Sequence, residues 1–318
     1  MTKINQHIIL FFTVLTIIFF GAFLMYSASS SFAFYKYNKS DTYFLFKHIR
    51  WVSIGILILL LTSNINYMFF KYNAIVILIL SWMIMLIPIL FGDDSVARWL
   101  KIGNFSLMTT SDFSKLSIII FTAAFIDRYH SQINNLNLLV KKFIPYLIIT
   151  IGLIVYQPDL STSVVISLII FSLLYISGIS KKIIFSSITI GILLFIAIIF
   201  LYQIGSLFGI ENTISYKQER LFGWFNSFGN NSSNSQSYFS LLALANGGLF
   251  GKGIGDSVFK YNGFIPEGQT DFILAIIGEE IGFLGVLIIF LLFFILFIKG
   301  IDIAKNCSNR FGIFLSIG

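Results

Sequence analysis

The sequence predicts an all-α polytopic membrane protein, and three observations carry that prediction. Only 11% of the 318 residues are charged and 57% are apolar. The mean hydropathy is +0.90. The apolar residues also gather into runs close to the about 20 residues a helix needs to cross a bilayer. A soluble domain carries about 25% charged residues, so a water-exposed globule of this length could not cover its surface. These numbers exclude a soluble enzyme, a nucleic-acid-binding domain and a disordered chain. The net charge of +7 reads as loop lysines that set topology and face anionic lipid. The single cysteine, Cys307, supports neither a disulfide framework nor a thiolate metal cluster.

Eight helices follow in order. Runs 8–26, 44–62, 74–91, 183–202 and 272–298 have spanning length, the second interrupted by Lys47, His48 and Arg50. Runs 114–126, 143–156 and 163–179 are shorter, and the first two suggest partial or flank-assisted spans. A ninth helix begins at Phe311. Small residues follow the first run (Ser27 to Ser30), as after a secretory signal. That run is longer than the roughly 7–15 apolar residues of a signal peptide, and more spans follow, so an uncleaved anchor is expected.

Orientation follows from loop Lys and Arg. With a cytoplasmic N-terminus, Lys3, Lys71, Arg128, Lys141, Lys142, Lys181, Lys182, Lys299, Lys305 and Arg310 lie inside. Lys36, Lys39, Lys47, Arg50, Arg98, Lys101 and Lys115 lie outside in short loops and helix mouths. Ten against seven favours that orientation and puts the loop 203–270 outside the membrane. The loop holds an Asn/Ser-rich tract, 226–237, which reads as flexible, and a glycine-dense run, GGLFGKGIGDS, at 247–257. The run lacks the order of a phosphate-binding Walker loop and reads either as a re-entrant structural turn or as part of a site. No internal repeat is evident. The three His and one Cys have no metal-ligand spacing.

Ionisable residues at or inside spans are functional-site candidates, because the bilayer makes them costly. Asp112 and Lys115, spaced i, i+3 on one helix face, read either as a self-neutralising pair or as a cation held near an anionic substrate. Asp159 in QPDLST suits a helix cap or a site. Arg98 beside Trp99 reads as an interfacial anchor or a phosphate-binding guanidinium. Asp271 begins the last complete helix, where an acid also compensates the dipole. Glu279 and Glu280 lie about 12–13 Å into that span. They cannot both share Asp271's face, so at least one is expected to face a protein or water-lined interior.

These strings together resemble the SEDS family (shape, elongation, division and sporulation; FtsW, RodA and SpoVE). MYSASS at 25–30 is similar to the family's Tyr-Ser-Ala-Ser segment, and ARWLKIGNFSL at 97–107 to its Arg-Trp segment. TTSDFSK at 109–115 occupies its Gln-Pro-Ser-Glu-x-x-Lys motif: Ser111 and Lys115 match, Asp112 stands for Glu, and Thr109-Thr110 replace Gln-Pro, which predicts a looser helix mouth. QPDLST at 157–162 resembles QPDLGT. Arg220 and Trp224 fit the pattern ahead of the loop, and Gln236, Ser240, Leu241, Ala243, the glycines from Gly247 to Gly255, Lys252 and Ser257 follow the family spacing. PEGQTDFILAIIGEEIGFLG at 266–285 resembles PEAHTDFIFAVIGEELGFLG.

The resemblance implies a SEDS-type helical bundle with its large extracytoplasmic loop after the seventh helix. Against the family's ten helices the chain is C-terminally short. It further implies a peptidoglycan glycosyltransferase that polymerises lipid II in the bacterial inner membrane. Asp271 would be the general base, and Lys115, Arg98 and, more weakly, Arg50 would hold pyrophosphate. Asp159, Asp112, Glu267 and Glu279 would position these groups or hold a divalent cation, with Asp159 and Asp271 the candidate ligands for Mg²⁺ or Mn²⁺. Gln236, Lys252 and Thr270 would line the cavity with the glycine loop. A class B penicillin-binding transpeptidase and other divisome proteins are the implied partners. MYSASS and PEGQTDFILAIIGEE lean towards the division type over the elongation type. A lipid II flippase and a non-catalytic scaffold are the competing classes.

Overall fold

A computed structural model of the chain describes residues 3–37, 40–91, 99–102, 105–157, 159–183, 185–186, 236–261, 265, 268 and 270–318. Of the predicted site residues, Arg98 and Glu267 lie outside these, as do most of the predicted span 183–202 and most of the tract 226–237. Two compact units are present: Met1–Ser63 with Ala197–Lys299, and Asn64–Ile196 with Gly300–Gly318.

In the first unit, α1 (Lys3–Tyr37) and α2 (Tyr43–Ser63) pack on one another. Both run past their predicted apolar cores, because helix geometry tolerates the polar flanks that a lipid-thickness criterion leaves out. α2 buries no residue, and Phe46, Leu57 and Leu61 are among its exposed side chains. The predicted loop carries helical structure of its own: α9 (Gln236–Gly247) and the single turn α10 (Val258–Tyr261). α11 (Ile273–Asn306) follows and continues past the unit's end at Lys299. It is broken at Gly282, whose φ of 74° and ψ of −170° are non-helical.

The second unit is built around α5 (Thr110–Tyr129), against which α3 (Met68–Tyr72), α4 (Ala74–Phe91), α8 (Leu160–Ile176) and α12 (Arg310–Ile317) pack. α5 is 20 residues long where the sequence predicts 114–126. Its apolar run looks short because Thr110, Ser111, Ser114, Ser117 and Thr122 are buried against neighbours. Small hydroxyl residues let membrane helices approach closely and bond across: Ser117 donates to Ser81 of α4 at 2.9 Å. Phe121 stacks on Phe143 at 5.9 Å between ring centroids, and Phe125 meets the same ring tilted at 4.9 Å.

The predicted helix 143–156 is α7 (Ile144–Tyr156), joined at a 45° bend to α6 (Leu136–Lys142). Pro145 in the first turn of α7 lacks an amide hydrogen and so cannot extend the α6 ladder. One element departs from the all-α expectation. Trp99–Ile102 (β1) pairs antiparallel with Phe105–Thr109 (β2). By length and apolarity four described helices can cross a membrane, or five counting the bent α6–α7 pair.

Candidate functional site

In the second unit the predicted residues gather at the start of α5. Lys115 Nζ donates to Asp112 Oδ1 at 2.7 Å, so the i, i+3 pair forms. The Thr109 hydroxyl donates to the other Asp112 oxygen. Asp159 Oδ2 accepts from the Ser111 hydroxyl at 2.9 Å, and Oδ1 accepts from the Thr162 amide at 3.3 Å. Asp159 therefore caps α8 and ties that cap to the mouth of α5. Behind it the Thr110 hydroxyl donates to Gln157 at 3.1 Å, and Gln157 Nε2 donates to the Met85 carbonyl at 2.7 Å, in the helix that contains Pro88. The looser mouth expected from Thr109-Thr110 is overturned: both hydroxyls are engaged, and Thr110 is fully buried. Lys115 is partly exposed and keeps two further donors for an anion. Gln157 is the residue that sequence reasoning missed here. Its signal was its place in QPDLST, which was read for the aspartate alone.

In the first unit Asp271 stands exposed in the turn two residues ahead of α11, beside exposed Thr270. Gln236 opens α9, and Lys252 lies in the glycine loop. Both are exposed, as is Arg50 on α2. The two glutamates are buried on different partners. Glu279 Oε1 accepts from Asn246 Nδ2 at 2.7 Å and from the Val258 amide at 3.2 Å. Its Oε2 accepts from the Ser257 hydroxyl at 2.5 Å and from the Phe259 amide at 3.3 Å. Glu279 thus caps α10 and anchors the loop. Its carboxylate is filled by this chain's own donors. Glu280 Oε1 pairs with Lys260 Nζ at 2.8 Å, and its other oxygen accepts from Ser27 of α1. Lys260 also donates to the Ser27 carbonyl at 2.9 Å. Both charged side chains are 1% exposed.

The glycine run closes the break in α11. Lys252 and Gly253 amides donate to the Glu279 and Glu280 carbonyls, each at 3.0 Å. Beyond the break, Phe283 and Leu284 amides donate to the Gly248 and Leu249 carbonyls at 2.9 and 3.2 Å. A backbone group in a membrane span needs a protein partner, and the loop supplies four. Glycine is required for the approach: a Cβ on Gly247 would sit 1.9 Å from the Gly278 carbonyl oxygen. Lys260, Ser27 and Asn246 were not predicted, whereas Ser257 was expected only as part of the cavity-lining loop. Lys260 looks like an ordinary loop lysine until its partner 20 residues on is known.

Among the described residues no group of three or more His, Cys, Asp or Glu side chains could hold a metal. Both Asp159 oxygens already accept hydrogen bonds from Ser111 and Thr162. Among the described residues, then, no third acidic or imidazole ligand gathers at Asp159 or at Asp271, the two ligands that the sequence suggested for Mg²⁺ or Mn²⁺.

A multi-pass helical membrane protein results, with a broken span sealed by glycine backbone and an exposed aspartate at the mouth of that span. The chain belongs to the family of cell cycle proteins FtsW, RodA and SpoVE, whose model matches residues 7–318. It is 33% identical over 325 residues to the Probable peptidoglycan glycosyltransferase FtsW of Bacillus subtilis, covering 97% of this chain and 77% of that one. It is 28% identical to Stage V sporulation protein E of the same organism, covering 99% and 84%. Among solved structures it matches a chain of a peptidoglycan synthase complex, described for its coordination of polymerization and crosslinking, with a TM-score of 0.69 at 16% identity over 96% of this chain and 81% of that one. It also matches the rod shape determining protein RodA of Thermus thermophilus, with a TM-score of 0.61 at 18% identity over 96% and 78%. These two likenesses show the fold.

Proposed function

We propose that this chain is a peptidoglycan glycosyltransferase, polymerising lipid II into glycan strands for septal wall synthesis. The observation that carries the reading is its likeness, along 97% of its length, to a relative named as such an enzyme. The reaction joins the 4-hydroxyl of a GlcNAc on lipid II to the anomeric carbon of a growing chain on undecaprenyl pyrophosphate. The new bond is C–O to the acceptor, the broken bond is C–O to phosphate, and undecaprenyl pyrophosphate leaves with the electron pair. Asp271 takes the hydroxyl proton. Its exposure at the end of a span, ahead of a rigidly held helix, suits a group that must meet a sugar brought by lipid. Lys115, Arg98 and Arg50 offset the charge on the departing pyrophosphate, and Asp112 orients Lys115. Asp159, Glu267 and Glu279 position these groups, and Gln236, Lys252 and Thr270 line the substrate groove.

In this reading the chain is one SEDS-type domain of eight complete spans plus the start of a ninth. The N-terminus is cytoplasmic and the segment 203–270 extracytoplasmic, in the bacterial inner membrane. The neighbouring fold from a synthase complex supports a penicillin-binding transpeptidase as partner. Asp271→Asn in folded, membrane-inserted protein should abolish polymerisation of purified lipid II, and retained strand formation would remove Asp271 from the base role.

Lipid II translocation is the second reading, and one observation favours it: transporters use broken spans with buried charges, and α11 has both. Here, however, the break is filled by the chain's own backbone and both carboxylates are satisfied internally. Reconstitution separates the two: glycan strands on a gel against translocation of fluorescent lipid II across vesicles.

A further inference from the structure

The segment that carries Asp271 is closed at both ends by buried side chains. Lys260 lies 11 residues before Asp271 and Glu280 nine residues after it, and their ion pair joins the ends at 2.8 Å. Glu279 adds a second closure through Ser257 and the amides of Val258 and Phe259. Ser27 fixes the ion pair to α1 from two sides, its hydroxyl on Glu280 and its carbonyl on Lys260. Between the ends, Ile265 is buried against Ala275 and Ala243. Gly268 sits so close to α11 that a Cβ there would meet Ile276 at 2.6 Å. The turn before Asp271 therefore rests on the first turn of α11, and both ends of the segment are held.

A buried ion pair is a poor source of stability. Desolvating both charges offsets most of their attraction, and replacing such a pair by apolar groups is often neutral. What an ion pair does supply is a single arrangement, because breaking one partner leaves a buried charge exposed to no counter-charge. The pair's effect is thus on geometry more than on folding.

We infer that Lys260, Glu280 and Ser27 form a positioning lock that sets where the Asp271 carboxylate stands for proton transfer. None of the three touches substrate. The inference rests on the reading of Asp271 as base. Placement of a reacting group within about an ångström is worth on the order of 10²-fold in rate, which is the scale of loss expected when the lock is released.

The test uses the full chain, purified in detergent and assayed for turnover of fluorescent lipid II. The paired variant Lys260→Met with Glu280→Gln removes both charges and leaves neither unpaired, so it keeps the fold. It should unfold at the parent midpoint and lower kcat about 10- to 100-fold, with KM for lipid II changed less than about twofold. Backbone hydrogen exchange in 265–275 should speed up while that of 285–298 stays unchanged. Parent-level kcat in the paired variant, beside an inactive Asp271→Asn, overturns the lock alone. Activity retained by Asp271→Asn sinks the base assignment and the lock with it. A loss of kcat that comes only with a lowered unfolding midpoint and general exchange overturns it in favour of a purely structural pair.

Discussion

Substituting the glycines around the α11 break by alanine should produce a graded series of instabilities, each step of which follows from local geometry. Gly282 has φ +74°, and a Cβ there would lie 2.3 Å from the Gly251 nitrogen and 2.6 Å from the Leu249 oxygen. Left-handed backbone costs an L-residue about 1–2 kcal/mol, and forcing an atom into a packed interior costs about 1–3 kcal/mol. The obstructing atoms are backbone, so no side chain can rotate away, and Gly282→Ala should lose about 2–5 kcal/mol. Gly251→Ala belongs to the same class, with φ +80° and the Glu280 oxygen 2.2 Å away. Gly248 has φ +57° and nothing within 4 Å, so Gly248→Ala should carry only the conformational part, about 1–2 kcal/mol. Gly152, in the interior of α7 with nothing within 4 Å, should gain about 0.5–1 kcal/mol as alanine. Unfolding midpoints of the purified chain in detergent, followed by tryptophan fluorescence, give the order: Gly152→Ala above parent, then Gly248→Ala, then Gly251→Ala and Gly282→Ala. Equal midpoints for Gly248→Ala and Gly282→Ala would refute the claim that loop backbone fills the break.

Asp159→Ala should cost about 1–2 kcal/mol through loss of the α8 cap, with a larger loss than Asp112→Ala, whose own side chain is exposed; the same midpoint measurement decides. Lys71 and Asp127 are bridged at 2.6 Å but remain 27% and 16% exposed. Lys71→Met should therefore shift stability by no more than about 1 kcal/mol, and a larger loss would mean that the bridge is screened from water in the membrane. Glu279→Gln should cost about 1–3 kcal/mol and raise exchange at Val258 and Phe259; an unchanged midpoint would show that an amide serves as well as the carboxylate.

The reach of sequence reasoning differed sharply between groups. Asp112–Lys115 and the Asp159 cap were legible because both are local, set by i, i+3 spacing and by an acid just ahead of an apolar run. That at least one of Glu279 and Glu280 turns inward was legible from cost alone, since a carboxylate deep in a span demands partners; that both do so was not. Which partners they take was not legible: Lys260 is 20 residues from Glu280 and Ser27 is 253 residues away. The length of α5 was underestimated because its hydroxyl residues lower the hydropathy while packing against other helices. The strands Trp99–Ile102 and Phe105–Thr109 were missed because a four-residue strand beside a span gives too few alternations to stand out.

The glycines and the two glutamates solve one problem between them. A span broken at residue 282 exposes carbonyls on one side of the break and amides on the other, and in a bilayer neither can be left to water. Glycine backbone can come close enough to meet both sets, but a glycine loop has little side-chain packing to hold it there. The side chains of the two residues ahead of the break provide that hold. Glu279 accepts from four donors, Asn246 at the loop's near end and Ser257, Val258 and Phe259 at its far end, and it can do so only as a carboxylate. An amide in its place would turn a donor towards either Val258 or Phe259, and a backbone amide, unlike Ser257 or Asn246, cannot reverse its polarity. Glu280 reaches the opposite way, to Lys260 and Ser27. Each carbonyl that the break frees therefore belongs to a residue whose side chain fastens the loop that satisfies it. A single-residue shift of this segment would undo the backbone and side-chain bonds together, and the register of the span, with Asp271 at its mouth, is fixed by that coupling.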